Sequence, residues 1–291
     1  MFKLLRTNIV RTLTDWKFWM GSAAVCVMLL AAVVKLDING DSITMIDMII
    51  DKSKMDDDIN YNSLEMLAGK DSLWLMMFVP VLTAFAFVPV LNEDLKHRFT
   101  RYVMPHVSKK NYFSASYLSA VICGGIMLII GSLLAELVIC LSFPGIQSFS
   151  VQDQAGYYEM LEYTAPAWYC KAVKTGSIAA VLLVNAVRYF AYGALAVIPA
   201  LLISSLSINI YFVISLPFLL CHLWERFIVY LAMNGSKAYI TLVNIGYYRL
   251  GSTIYQDLDI KGLIRCNVGV FLFSYLVYML INLGKADTCE S

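Results

Sequence analysis

Six stretches of this chain are apolar over close to the length a helix needs to cross a bilayer, and polarity rises sharply between them. They fall near 18–34, 73–91, 115–141, 176–203, 208–232 and 266–283. Each predicts a transmembrane helix, because backbone placed in hydrocarbon must satisfy its own hydrogen bonds. Only Ser204, Ser205, Leu206 and Ser207 separate the fourth stretch from the fifth, which predicts a tight helical hairpin. Pro80 and Pro89 in the second, Pro199 in the fourth and Pro217 in the fifth predict kinks that neighbouring helices tolerate. The expected fold is all-α: one polytopic domain of six transmembrane helices.

The segments between the spans carry their own patterns. Phe2, Leu5, Ile9, Leu13 and Trp16 recur every three or four residues, with Lys3, Arg6 and Arg11 off that stripe. This predicts an N-terminal helix lying in the membrane interface, with Trp16 and Trp19 at headgroup depth. After the second span, Leu91, Leu95, Phe99 and Val103 recur every four residues, with Tyr102 beside them. Asn92 is placed to cap such a helix, Glu93 and Asp94 suit its positive end, Arg98 and Arg101 its later part, and Pro105 ends it. A short amphipathic helix beneath the membrane is therefore expected between spans 2 and 3. Residues 35–72 are polar, with room for one short helix over Ile43–Ile50. Residues 142–175 hold Tyr157, Tyr158, Tyr163, Trp168 and Tyr169, and 233–265 hold Tyr239, Tyr247, Tyr248 and Tyr255. Both suit aromatic segments at the outer interface.

Composition excludes whole classes. Of 291 residues, 59% are hydrophobic and 15% charged, and mean hydropathy is +0.68. Soluble domains run about 45–50% apolar and about 25% charged. A soluble enzyme, a disordered chain and a disulfide-rich secreted domain are excluded. The net charge of +1 offers no basic field for nucleic acid. Its distribution matters more. Residues 1–17 hold Lys3, Arg6, Arg11 and Lys17 against Asp15 alone, and 92–114 hold five basic residues against Glu93 and Asp94. Residues 35–72 hold four basic residues and nine acids. Positive charge concentrates on the cytoplasmic side, so both termini are expected there and 35–72, 142–175 and 233–265 outside. The basic start followed by an apolar run resembles a signal peptide, but the run is long and no small-x-small site follows, so a retained first span is expected. Of seven cysteines, five lie in or beside spans, where thiols act as small hydrophobes. Cys170 with Cys266 is the sole plausible disulfide.

Charges inside the spans form a second candidate site: Glu136, Arg188, His222, Glu225 and Arg226. Two readings stay open: structural ion pairs, Arg188 with Glu136 or Glu225, or the polar lining of an outward cavity. Catalytic and metal patterns are absent from the sequence. There is no His-Glu-x-x-His, no paired intramembrane Asp and no Gly-x-Ser-x-Gly, and His97, His106 and His222 are scattered. Nor is there a Gly-x-x-x-x-Gly-Lys-Ser/Thr, so the chain has no P-loop of its own.

The arrangement resembles a type-2 ABC exporter permease: six spans, an interfacial N-terminal helix, Glu93/Asp94 after span 2, a short helix over Leu95–Met104, and Ser108-Lys109-Lys110-Asn111-Tyr112 leading back into span 3. That family usually shows a glycine soon after the acid and a lysine at the start of span 3, where this chain has Lys96-His97 and Ser114–Ser116. In size and sparse loops it is similar to permeases of bacterial antimicrobial-peptide export and immunity systems. The resemblance implies a multi-pass protein of the bacterial cytoplasmic membrane, working with a separate ATP-binding cassette subunit and a second permease chain. ATP and Mg would sit on that partner, with no cofactor here. Glu93, Asp94, Leu95, Arg98, Phe99, Arg101 and Tyr102 would dock the ATPase, with Phe99 as the apolar anchor. A peptide, lipid or drug-like cargo would move outward. The alternatives are a non-enzymatic membrane channel or assembly scaffold, or an intramembrane enzyme built on Glu136, His222 or Glu225.

Overall fold

The computed structural model describes residues 1–36, 42–55, 61–69, 73–96, 107–145, 154–156, 158–159, 167–175, 177–206, 209–234 and 260–288. Helix α1, Phe2–Thr14, is followed after one residue by α2, Trp16–Leu30. That residue, Asp15, is extended (φ −76°, ψ 131°), and its carboxylate accepts the Lys17 backbone N–H at 3.0 Å. A free N-terminal N–H of α2 is thereby satisfied, the usual role of aspartate at a helix start. Across the joint, the Trp19 indole N–H donates to the Leu13 carbonyl at 2.9 Å.

Beyond Leu30 the first apolar stretch stops being helical. Val33–Leu36 form strand β1, antiparallel to β2, Ser42–Thr44. The β-branched pair Val33-Val34 favours extended backbone over a helix interior. The all-α expectation is corrected accordingly: the described residues are mostly helical and include a small hairpin. Thr44 then starts α3, Met45–Ile50, through a reciprocal capping box with Asp47. A single 3-10 turn, Lys52–Lys54, follows, and then α4, Ser63–Gly69. Residues 35–72 thus hold more than the one short helix expected. Met45, Met48, Tyr61, Leu64, Met66 and Leu67 are buried in one cluster with Leu29, Leu75 and Ile139. The polar composition of this segment concealed a folded cap.

The remaining helices among the described residues are α5 (Leu73–Lys96), α6 (Lys109–Ser142), α7 (Ala167–Lys174), α8 (Ile178–Ala196), α9 (Ile198–Leu206), α10 (Ile210–Met233) and α11 (Ile260–Thr288). Three differences from the expected boundaries have local causes. First, α5 runs unbroken through Asn92 to Lys96, so Asn92 is buried within the helix and does not stand at a helix start. Second, the fourth apolar stretch breaks at Val197, two residues before Pro199, whose ring cannot sit in a continuous helix without losing a hydrogen bond. Third, Ser204 and Ser205 belong to α9 and not to the hairpin loop. Their hydroxyls return to the Leu201 carbonyl at 2.7 and 3.2 Å, so the helix satisfies them itself.

Among the described residues, three helical stretches are long and apolar enough to cross a membrane: Lys109–Ser142, Ile178–Leu206 (through the break) and Asn267–Gly284. Shorter apolar helices, Trp16–Leu30, Met77–Asn92 and Tyr211–Trp224, accompany them. At 1.5 Å per residue α2 is only about 22 Å long, against roughly 30 Å of hydrocarbon.

Helix α6 is the centre, touching α1, α2, α4, α5, α8 and α11. Its direction relative to each neighbour follows from matched contacts. Gly21 lies against Met127 and Val25 against Gly131, so α2 runs parallel to α6. Gly124 meets Gly193 and Gly125 meets Phe190, so α8 runs antiparallel. Ser114 pairs with Tyr275 and Tyr117 with Ser274, which sets α11 antiparallel as well. Backbones approach most closely where side chains vanish. A Cβ on Gly193 would collide with the Gly124 carbonyl oxygen, and one on Gly131 would lie 2.7 Å from the Ser22 carbonyl oxygen. Without hydrophobic drive between helices in lipid, such close packing is what holds them together.

Candidate functional site

Two places merit description as sites. One is the bundle end where α1 crosses; the other is a run of buried polar groups between α6 and α8.

At the bundle end, α1 rests on α6. Leu4, Ile9 and Leu13 pack toward the cluster containing Phe18, Leu91, Tyr112 and Phe113, and Thr12 is fully buried, its hydroxyl donating to the Asn8 carbonyl at 2.9 Å. The apolar stripe read from the sequence is therefore divided. Ile9 and Leu13 face protein, while Phe2 and Trp16 remain exposed. Arg11 Nη1 donates to Asp94 Oδ1 at 2.9 Å, tying α1 to the last turn of α5. This corrects the electrostatic role given to Asp94. It does not open a new helix but lies at the C-terminal end of α5, where a carboxylate opposes the negative end of the helix dipole. Arg11 offsets that cost. Lys3, Arg6 and Lys110 are exposed on these same elements.

Of the expected docking residues, Glu93, Asp94 and Leu95 fall in this last turn. The side chains of Glu93 and Leu95, and all of Arg98, Phe99, Arg101 and Tyr102, lie outside the described residues.

The charged residues expected inside the spans lie on three helices, α6, α8 and α10. Glu136 on α6 is fully buried, and Arg188 on α8 is 5% exposed, its guanidinium 4.7 Å from the Tyr189 ring centre. His222 and Arg226 are on α10, which packs against α5 and α9. His222 stacks on Phe218 (6.4 Å between ring centres, 9° between planes), which stacks on Phe78 (5.3 Å, 25°). Arg226 is exposed, and the side chain of Glu225 lies outside the described residues. The sequence places charges along helices, and only packing decides which of those helices meet.

Sequence reading missed Asn185. It is fully buried on α8, one turn before Arg188, and neither atom of its amide has a hydrogen-bond partner among the described residues. The available signal was its three-residue spacing from Arg188 within an apolar run. Also missed were the polar fasteners of α11. The Tyr117 and Ser274 hydroxyls lie 2.7 Å apart, those of Ser114 and Tyr275 2.8 Å apart, and the Asn282 amide donates to Ser205 Oγ at 2.8 Å.

In the cap, backbone and side-chain hydrogen bonds from Thr44, then Lys54, hold the Asp47 carboxyl down at about 2. Hydrogen bonds from Ser53 lower Asp51, and burial raises Glu65. Among the described residues no group of three or more His, Cys, Asp or Glu is placed to hold a metal. The side chain of Cys266, needed for the disulfide weighed with Cys170, lies outside the described residues.

The chain matches no protein-family model, no curated protein and no solved structure.

Proposed function

We propose that this chain is the membrane-spanning permease subunit of an ATP-driven exporter, without an ATPase site of its own. A separate ATP-binding subunit would supply energy, and a second permease chain would complete the path. The observation that carries the reading is the Arg11–Asp94 pair. It joins the N-terminal amphipathic helix to the end of α5, directly before the segment 97–106 whose sequence suits a docking helix. A movement imposed on that segment would reach α1 and, through it, α6.

On this reading all six apolar helices span the bilayer. Supporting it are the antiparallel settings of α8 and α11 against α6, the parallel setting of α2, and the exposed apolar residues on α2, α6, α8, α10 and α11. Basic residues of α1 and of the start of α6 would face the cytoplasm, with both termini there, in the cytoplasmic membrane of a bacterium. Antimicrobial peptides are one cargo class consistent with the resemblance.

The test is co-purification with an ATP-binding subunit, sought first in the neighbouring reading frames. Phe99→Asp and Arg101→Glu are expected to abolish it while the membrane chain still accumulates. Retention of the ATPase after residues 95–103 are replaced by a Gly/Ser linker would defeat the docking claim. A channel or scaffold would show no nucleotide dependence in reconstituted vesicles.

A further inference from the structure

Between α6 and α8, the bundle interior holds polar groups that no transport step above uses: Glu136, Asn185 and Arg188, with Ser132 beside them. Their order along the helices follows from the glycine crossing. Gly124 opposes Gly193 in an antiparallel pair. Moving eight residues along each helix, to Ser132 and Asn185, covers about 12 Å on both, at 1.5 Å per residue. Ser132 and Asn185 are therefore level. Arg188 lies one turn nearer the crossing and Glu136 one turn farther from it. Asn185 occupies the step between the cation and the carboxyl group.

An asparagine amide has two donors and an oxygen acceptor. Buried amides leave such groups unpaired only at a cost of about 1–3 kcal/mol, so most find a partner or an ordered water. Asn185 is 0% exposed and neither its nitrogen nor its oxygen finds one among the described residues. The Ser132 hydroxyl already donates to the Ile129 carbonyl at 3.1 Å, so it can only accept from this side. At this level α6 offers Ser132 and Ala135, both small, while Gly131 is taken up by Val25 and Ser22 of α2. Small neighbours, polar walls and an unmatched amide together suit bound water.

We propose that Asn185 is the centre of an internal water-binding site, enclosed between α6 and α8, where water bridges the amide to the Glu136 and Arg188 side chains. The site is closed to the exterior in this conformation, since all three residues are at most 5% exposed. The intramembrane charges then form a hydrated internal ladder and not the lining of an open path. This inference does not depend on the exporter reading.

The sign of a stability change tests it. If water fills the site, Asn185→Leu expels it and removes its hydrogen bonds to the neighbouring polar groups, so Tm of the purified chain should fall by several degrees, and with Asn185→Ala, which leaves room for water, it should fall less. A dry, mismatched amide predicts the reverse: Asn185→Leu would raise Tm or leave it unchanged, and that result overturns the proposal. In the wild-type chain in bilayers, solid-state NMR should show exchange or proximity cross peaks between the Asn185 side-chain NH2 and water. Their absence overturns it equally, and this measurement decides alone if Asn185→Leu does not fold.

Discussion

Helices α6 and α11 are both apolar enough to cross a membrane, yet the protein treats them differently. In the apolar window of α6, 61% of residues are buried against other helices; in that of α11, 28%. Helix α6 carries Gly124, Gly125 and Gly131, each so close to a neighbour that an added Cβ would collide. Gly269 of α11 has open space around it. What α11 has instead is a line of hydrogen bonds on one face, from Ser274, Tyr275 and Asn282, while Val268, Leu272, Phe273, Leu276 and Leu280 point outward. A central helix is secured by shape on several sides, and a peripheral one by a few polar contacts on one.

That contrast is open to attack, and the glycines offer the sharpest blow. Gly124→Val should destabilise by about 3 kcal/mol or prevent folding, because backbone and not a flexible side chain opposes the new atoms. Gly269→Val should leave thermal stability within about 0.5 kcal/mol of the parent. Equal losses at the two positions, measured by thermal unfolding in detergent, would erase the distinction drawn between the helices.

A smaller effect probes the polar fasteners. Tyr117→Phe removes a hydroxyl that lies 2.7 Å from Ser274 Oγ and 3.2 Å from the Phe271 carbonyl. The expected cost is about 1 kcal/mol, since the Ser274 hydroxyl loses its partner on α6 while the ring packing stays. Leu276→Ala on the exposed face of the same helix should cost less, and a larger loss there would mean that the outward face also packs against protein.

At the end of the bundle the effect shrinks further. Arg11→Ala should lower stability by at most about 1 kcal/mol, because the arginine is 44% exposed and surface pairs are screened. Salt should weaken the parent but not the variant. On the proposed exporter reading, nucleotide-dependent activity should suffer more than stability does, because α1 would transmit motion. Charge reversal at both positions, Arg11→Asp with Asp94→Arg, should restore part of it.

The least effect is expected in the cap beside α6. The Asp47 carboxyl is held at about 2, below its ordinary value of 3.8, so the charged form is favoured in the folded cap. That contribution is complete above about pH 4 and is lost as pH falls toward 2. Amide hydrogen exchange over Met45–Ile50 should accelerate across this window while the core of α6 stays protected. Thr44→Ala, which removes the hydroxyl that bonds Asp47, should shift the window upward.

Particular residues show where sequence reading succeeds and where it stops. The apolar runs placed most helices within a few residues, because hydrocarbon demands a continuous apolar stretch. The sequence also placed Pro199 as a disruption, and α8 ends just before it. The apolar run to Val34 misled, since Val33-Val34 are as apolar in a strand as in a helix. Asn92 and Asp94 misled for a different reason. A period of four through Leu91, Leu95 and Phe99 is shared by a new helix and by the last turn of an old one. At the sites, spacing located each charged residue on its helix but not the neighbours that packing brings beside it.

The sequence by itself determined that this is a membrane-type helical chain, which stretches are apolar, which end of the molecule is basic, and that no P-loop is present. Tertiary structure alone decided that α6 is central, that α1 packs on protein with half of its stripe, that Arg11 meets Asp94, and that Asn185 stands level with Ser132. The reason is physical. A lipid tail and a protein interior are alike in polarity, so hydrophobic pattern cannot say which of them a helix face will meet. Close approach at glycine and the pairing of buried polar groups can, and both exist only once the helices are side by side.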